Sequence, residues 1–237
     1  EVFTHRINTV TRLDVSNVGL SLLTGLEDFR DLENFGAFGG NPGLTSADFS
    51  NNLKLKKITF SLNTNATSVI FGNLPDVDYI QLGFCNIATV DLSGLPNLKE
   101  FKDFDSKLTT LDVSSNPKLE LLGVQGGVLT ALDVSTNVLL KNLSITSNQL
   151  TSLDLSSNTE LNILNFNQNQ LTSLDLSNNN KLTQLSATNN NLTSLNLNNG
   201  FNTLINSQAF NITNNPALTC ITVDDVSYAT TNWTAKD

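Results

Sequence analysis

From Val77 to Leu192, apolar residues return along this chain at alternating intervals of ten and eleven residues, so every second segment repeats after 21. From Leu44 to Val77 the interval is 11. The clearest copies begin at Leu150 and Leu161, and both read LxxLxLxxN, with apolar residues at positions 1, 4 and 6. The other segments begin at Val10, Leu32, Leu44, Leu55, Ala66, Val77, Ile87, Leu98, Leu108, Leu119, Leu129, Leu140, Leu171, Leu182, Leu192 and Leu218. A fixed internal period of this length is typical of a solenoid protein.

Within each segment the apolar residues at positions 4 and 6 alternate with polar residues at positions 5 and 7. This alternation predicts a strand with one buried face. Two segments close one coil, and stacked coils bury a continuous ladder of Leu, Ile, Val and Phe. A long α-helix is excluded because Ser- and Asn-rich turns return about every ten residues.

Asn at position 9 predicts a second ladder, inside the turns. It stands at Asn52, Asn116, Asn137, Asn158 and Asn179 in one series of segments and at Asn148, Asn169 and Asn190 in the other. A bend leaves inward backbone groups unpaired, and an Asn amide offers both a donor and an acceptor to them. We therefore expect ladders of Asn bonded to neighbouring turns.

The paired LxxLxLxxN units resemble the nested 21-residue leucine-rich repeats called IRREKO-type, over residues 10–223. The resemblance implies a β-rich α/β solenoid. This is a right-handed superhelix with parallel strands on both sides of each coil and little helix. It also implies a secreted or cell-surface bacterial protein with a role in recognition or adhesion, although a shared fold does not by itself give function.

The regular period predicts repeats over residues 44–217, an N-terminal cap with a first irregular repeat over 1–43, and a C-terminal cap over 218–237. Helical spacing after Leu20 predicts a short helix or 3₁₀ turn before the segment at Leu32. An insertion near Gly200 lengthens one late segment. Tyr228 and Trp233 are expected to cover the apolar edge of the last coil.

The two series of segments differ in their outward residues. Type A, which includes the segment at Val10 in this interpretation, is uniform. It has Asp or Asn at position 5 (Asp14, Asp48, Asp91, Asp112, Asp133, Asp154, Asp175 and Asn196) and usually Ser at position 7. The segment at Ala66 is the exception, with Ile70 and Gly72 at these positions. Stacking aligns these carboxylates, and neighbouring Ser and Thr hydroxyls are expected to offset their repulsion by donating hydrogen bonds. Cation binding by this Asp ladder is a minor alternative, because no calcium-loop motif is present.

Type B is varied, and variety favours recognition. Its candidate ligand-binding residues are Lys57, Tyr79, Gln81, Phe84, Lys99, Glu100, Lys102, Phe104, Leu121 and Gln125. Exposed aromatic residues beside mixed charges are typical of interface hot spots. The alternative is an ordinary core-edge role for Tyr79 and Phe84. Asp103 falls on an apolar position, so a β-bulge that turns Phe104 inward is a further expectation.

Composition narrows the function. The chain has a net charge of −9, which disfavours nucleic acid, and no apolar run reaches the roughly 18 residues of a membrane span. Cys85 and Cys220 lie about six coils apart, beyond disulfide reach. His5 is the only histidine, and no zinc, phosphate-loop or hydrolase motif appears. We therefore expect neither an enzyme nor a cofactor or metal site, and residues 1–3 are expected to be a processed end.

The sequence thus predicts a module that binds a protein or a polysaccharide on its type B side. The alternative is a structural spacer or adhesin stalk without a discrete ligand. The sequence leaves the ligand, the anchor and the oligomeric state open.

Overall fold

The computed structural model describes residues 7–105 and 107–234, and shows stacked coils joined by parallel strands. Type B segments form a ten-stranded sheet, here called the B sheet. Its strands in spatial order are β1 (Arg12–Asp14), β2 (Asn34–Phe38), β4 (Lys57–Ser61), β6 (Tyr79–Gly83), β7 (Glu100–Phe104), β8 (Leu121–Gln125), β9 (Asn142–Thr146), β10 (Ile163–Asn165), β12 (Gln184–Ser186) and β14 (Phe210–Asn211). The predicted parallel-strand solenoid is confirmed. Residues 1–3, His5 and Ser106 lie outside the described residues.

Type A segments form two short sheets on the opposite side of the coils. One contains β3 (Ser46–Asp48) and β5 (Ser68–Ile70), and the other contains β11 (Ser173–Asp175), β13 (Ser194–Leu197) and β15 (Cys220–Val223). In the coils between these sheets, the described type A segments have no regular strand pairing. Each Asp at position 5 there accepts the N–H of the Ser two residues later, as Asp112 does from Ser114 at 2.9 Å. Asp48 in β3 and Asp175 in β11 accept the same bond, so it shapes the turn of paired and unpaired segments alike.

The core lies between the two sides and contains the apolar residues of the repeat. On the B sheet, Ile80, Phe101 and Leu122 are in register on adjacent strands, and all three are fully buried. A shift of one residue would move every such side chain to the solvent face, so burial fixes the register. Each fully buried apolar side chain contributes roughly 1.5–3 kcal/mol to stability.

The buried Asn residues bridge neighbouring coils, but the two turns use them differently. At the type A turn, Asn137 Nδ2 donates to the carbonyls of Val113 (3.0 Å) and Asn116 (2.9 Å). At the type B turn, Asn148 also donates to two carbonyls, and its Oδ1 accepts the N–H of Leu129 at 3.1 Å. Asn169 and Asn190 also use both atoms, so the expected bonding of Asn to neighbouring turns is confirmed at the type B turn. Asn63 is an exception in its acceptor, because its Oδ1 has no hydrogen-bond partner within the described residues.

At the type A turn the expected ladder of bonded Asn residues is also present, but the amides use only their donors. Among the described residues, Oδ1 has no hydrogen-bond partner in Asn52, Asn116, Asn137, Asn158 and Asn179. The nearby backbone N–H groups at this turn are already used within the turn itself, as Leu140 N donates to Asn137 O at 3.0 Å. The amide therefore serves there as a donor only.

The segment at Val10 is of type B, which corrects the sequence interpretation. β1 pairs with β2 in the B sheet, with Asp14 opposite Gly36, and Asn17 has the positive φ found at position 8 of the other type B segments. Residues 16–31, with a 3₁₀ turn at Leu26–Asp28, fill the opposite side of the first coil. Asp14 and Ser16 therefore do not belong to the Asp ladder, and the predicted 3₁₀ turn is confirmed.

A helix, Val226–Asn232, closes the last coil. It begins after Asp225, whose carboxylate accepts the N–H of Tyr228 at 2.8 Å. Trp233 is buried, its ring stacks on Phe210 at 4.3 Å, and its Nε1 donates to the carbonyl of Ile205 at 2.8 Å. The Tyr228 ring meets Trp233 edge-on, so the expected covering role of these two residues is confirmed. The limits of the two caps remain predictions.

Candidate binding face on the B sheet

The outward side of the B sheet, here called the B face, brings the predicted site residues together on four adjacent strands. One row across β4, β6, β7 and β8 contains Lys57, Tyr79, Glu100 and Leu121, a second contains Gln81 and Lys102, and a third contains Phe104 and Gln125. Phe84 directly follows β6, and Lys99 directly precedes β7. The spacing of the repeat is therefore enough to gather these ten residues on one surface.

Four of these side chains hold one another in place. The Tyr79 hydroxyl donates to Gln81 Oε1 at 2.6 Å, and Lys102 Nζ donates to Glu100 Oε2 at 2.8 Å. Lys102 Nζ also lies 5.1 Å from the centre of the Tyr79 ring, within range of a cation–π interaction. The two hydrogen bonds each lie within one strand, and the contact of Lys102 with the Tyr79 ring joins the side chains of the two central strands, β6 and β7.

Position 8 of the type B segments is a left-handed backbone position, and two bulky apolar residues occupy it. Leu62 has a φ of 61° and Phe84 a φ of 54°. The same position holds Asn17, Gly39, Asp105, Gly126, Ser147, Gln168, Asn189 and Asn214, all with positive φ. Gly, Asn and Asp tolerate this conformation best, whereas a side chain such as Phe is strained there. Strained residues of this kind cluster at functional sites.

Leu62 and Phe84 belong to an apolar ridge that crosses four successive coils at the end of the B strands. Its members are Phe38, Leu62, Phe84 and Phe104. Phe38 is 48% exposed and Phe84 45% exposed, whereas Leu62 and Phe104 are half-buried. The sequence analysis missed Phe38 because it lies in the irregular first repeat. It missed Leu62 because an apolar residue after a strand looks ordinary without its backbone angle.

The predicted bulge at Phe104 is wrong. β7 keeps its register with both neighbours, and Asp103 lies opposite Leu82 and Val124, facing the core at 4% exposure. Phe104 therefore stays on the outward side. Cys85 is near this aspartate, and burial is the main cause that raises the pKa of its thiol. Its Sγ contacts the carbonyls of Gly83 (3.4 Å) and Phe60 (3.6 Å), so Cys85 serves as a buried turn residue.

The carboxylates of the Asp ladder on the type A side are close enough to interact with one another, and each accepts a hydrogen bond from the serine two residues later. Hydrogen bonds from Ser114 lower the pKa of Asp112, and the carboxylates of Asp133 and Asp91 oppose this shift only weakly. Ser135 and Ser156 lower the pKa of Asp133 and Asp154 in the same way. The expected offset of the repulsion by serine is therefore confirmed for these carboxylates.

Across residues 7–105 and 107–234, no group of three or more His, Cys, Asp or Glu is placed to hold a metal ion. Within that part of the chain, no helix is both long enough and apolar enough to cross a membrane.

Paired parallel strands, a 21-residue coil and Asn-lined turns define a leucine-rich-repeat solenoid. Several bacterial proteins of known structure have this fold. The functional domain of InlJ from Listeria monocytogenes matches with a TM-score of 0.69 and 24% identity, over 93% of this chain and 54% of that one. A leucine-rich-repeat protein of Leptospira interrogans matches with a TM-score of 0.56 and 18% identity, over 80% of this chain and 57% of that one.

The internalin InlF of Listeria monocytogenes matches along 100% of this chain and 88% of its own, with a TM-score of 0.54 and 17% identity. No protein-family model and no curated protein matches the sequence. The chain thus spans little more than half of the InlJ and Leptospira chains. InlJ is described as including a cysteine ladder, whereas the two cysteines here lie in distant coils and buried Asn residues form the ladder.

Proposed function

We propose that this chain is a non-enzymatic recognition module of a secreted or surface-attached bacterial protein. It binds a protein or polysaccharide partner on the B face, mainly between residues 57 and 125. The observation that carries the proposal is the strained conformation of Phe84, at a position where most other coils have small or polar residues. A half-exposed residue whose backbone is strained in the free protein is best explained by a partner that binds to it.

The side-chain network around Tyr79 supports the same proposal. Binding normally costs the freedom of long side chains at an interface, by roughly 0.5–1.5 kcal/mol for each one. Lys102 is already held by Glu100 and Tyr79, and its side chain is only 25% exposed. Part of that cost is therefore met before a partner arrives.

The second half of the B face provides a contrast. Its outward residues are amides and hydroxyls, and many are satisfied by one another. Asn167 Oδ1 accepts from Ser186 Oγ and from Thr188 N, both at 2.8 Å, and Ser147 donates to Gln168. Groups that are already paired within the chain offer fewer free partners to a ligand.

An array of proteins and glycans, probed with the whole chain, is the first step of the test. Against the ligand found, Tyr79→Ala with Lys102→Ala should weaken affinity by at least about 30-fold, since hot-spot residues cost about 2 kcal/mol or more when truncated. The matched control is Asn142→Ala with Ser144→Ala, because Asn142 occupies the row of Tyr79 three coils further on and Ser144 the row of Lys102 two coils further on. Equal affinity of the first variant and the parent chain would refute the assignment, provided that both melt at the same temperature.

A spacer or stalk is the second candidate, and the uniform coils support it. Residues 150–170 form one complete repeat whose outward residues differ little from the next. Deletion of these 21 residues removes one coil and keeps the phase of the array. A B-face binder should keep its affinity after the deletion. A function that tracks the length of the array, with unchanged binding by the Tyr79 and Lys102 variant, would favour the spacer.

A further inference from the structure

A recess of about 420 Å³ opens on the B face next to the proposed site, over β1, β2 and β4. Gly36 lies at its floor, between Asp14 and Thr59 in the same row, and supplies no side chain. Phe38 lines one side, and Arg12, Lys57 and Tyr79 share the row along the other. The volume is that of a pocket for a small ligand or a protruding side chain.

The two cations of the recess, Arg12 and Lys57, differ in their ion pairing from most of the lysines on the B side. Lysines in the turns before the B strands pair with a glutamate of the preceding coil, namely Lys56 with Glu33 (2.9 Å), Lys141 with Glu120 (2.6 Å) and Lys181 with Glu160 (2.5 Å). Arg12 and Lys57 form no ion pair within the described chain, and both line the recess. In a protein of net charge −9, this is a local concentration of cations available to a ligand.

Asp14 is the one carboxylate that lines the recess, and it is bound within its own turn. Its Oδ1 accepts from Ser16 N (3.0 Å) and Ser16 Oγ (2.6 Å), and these bonds, with a smaller contribution from the charge of Arg12, lower the pKa of Asp14. Two cations against this single carboxylate leave the recess with a net positive charge. A ligand with one negative group therefore complements it.

The apolar ridge favours a protein over a polysaccharide as the source of this negative group. Phe38 belongs to both the recess and the ridge, which continues through Leu62 to the strained Phe84. A polysaccharide with acidic sugars could supply a carboxylate but no apolar side chains to cover this ridge. A protein segment supplies both, because neighbouring side chains can be acidic and apolar.

We propose, building on the proposed function, that the recess is the specificity pocket of the B face. It takes the carboxylate of an Asp or Glu side chain of a protein partner between Arg12 and Lys57. A neighbouring apolar side chain of the same partner packs on Phe38, Leu62 and Phe84.

Selection of a displayed random-peptide library on the whole chain tests this proposal. The enriched peptides should contain Asp or Glu next to an apolar residue. For a synthetic copy of the best peptide, Arg12→Ala and Lys57→Ala should each weaken the affinity about tenfold, the value of one charge-assisted hydrogen bond. Replacing the acid of the peptide by its amide should cause a similar loss, and Lys57→Ala should then add little. The matched control is Lys118→Ala, an exposed lysine outside the recess that bonds to Asn97.

Gly36→Leu provides a test that leaves the charges unchanged. A Cβ at Gly36 meets only the Asp14 carboxylate, at 3.4 Å or more, and the residue has no positive φ, so the strand accepts a side chain there. The variant should melt no lower than the parent chain and should lose the peptide, because leucine fills the recess.

Peptides without an acid, or peptides indifferent to the Arg12, Lys57 and Gly36 variants, would overturn the pocket. If such peptides still lose affinity on Tyr79→Ala with Lys102→Ala, the proposed B-face function stands and only the pocket falls. If neither set of variants matters, both proposals fall. An oligogalacturonate that binds the parent chain but not Gly36→Leu, without acidic peptides being enriched, would assign the recess to a polysaccharide instead.

Discussion

The two sides of each coil follow the same period and solve different problems. On the type A side, the residue at position 5 is an Asp in most coils, and its carboxylate accepts the backbone N–H of the Ser two residues later, as in Asp133 and Ser135. Ile70 and Asn196 are the exceptions. On the type B side, the strands pair through their backbones over ten coils, and the residues at the equivalent positions include Gln81, Lys102 and Gly123. One side is uniform and the other is varied.

This difference shows where a repeat protein is free to change its surface. The type A side chains make the hydrogen bonds that shape their turn, so a change of residue alters the coil itself. The outward side chains of the B sheet are not needed for strand pairing, because backbone groups form those bonds. The B face can therefore carry a network such as that of Tyr79 and Lys102 without loss of the fold.

The largest expected effect concerns the buried Asn of each turn. Asn148→Leu removes two donors and leaves the N–H of Leu129 without its acceptor, so it should lower the free energy of unfolding by about 3 kcal/mol. At the type A turn, the chain itself uses Leu-Pro at Leu74 and Leu95. Asn137→Leu with Val138→Pro should therefore cost only about 1 kcal/mol. Urea unfolding measures both values, and equal losses would contradict the difference between the two turns.

The next effect concerns the left-handed position of the type B segments. Asn189→Phe places an aromatic residue at this position in the uniform half of the array, and should lower the free energy of unfolding by about 1 kcal/mol. The reciprocal change, Phe84→Asn, should not lower it, although it should weaken binding to the ligand. If Asn189→Phe unfolds at the same urea concentration as the parent chain, the position imposes no strain on an aromatic residue. The argument from Phe84 would then fail.

The sequence predicts the features of this molecule that depend on residues close together in the chain, and it fails where pairing between strands decides the structure. The alternation of apolar and polar residues along each strand correctly predicts that Phe101 and Leu122 are buried, because a strand turns every second side chain inward. It failed at Asp103, where pairing with both neighbouring strands keeps the register against the preference of one residue. One polar residue at an apolar position is therefore a poor predictor of a β-bulge in a strand that pairs with a neighbour on each side.

The candidate site was predicted in its regular part and missed in its irregular part. Tyr79 and Lys102 follow from the period, whereas Arg12 and Phe38 do not, because the first coil lacks a type A segment of ordinary length. The available signal was the spacing of 22 residues from Val10 to Leu32, because one full coil has about this length and therefore places both segments on the same side. The free cations of the recess depend on side-chain pairing, which no spacing reveals.

The smallest expected effect concerns acid and the Asp ladder. Ser114, Ser135 and Ser156 lower the pKa of the carboxylates two residues before them, so these carboxylates stabilise the folded chain at pH values above the usual Asp pKa of about 3.9. This contribution is lost as the pH falls through the lowered pKa, because the folded state must then take up the protons. The melting temperature of the parent chain should therefore fall below about pH 4. The triple variant with alanine at the three serines should lose less over the same range, because its carboxylates titrate closer to their usual value. These side chains are exposed, so water screens the effect, and it should stay well below that of the Asn148 change. An equally steep acid loss in the variant would show that the serines do not stabilise the charges of the ladder.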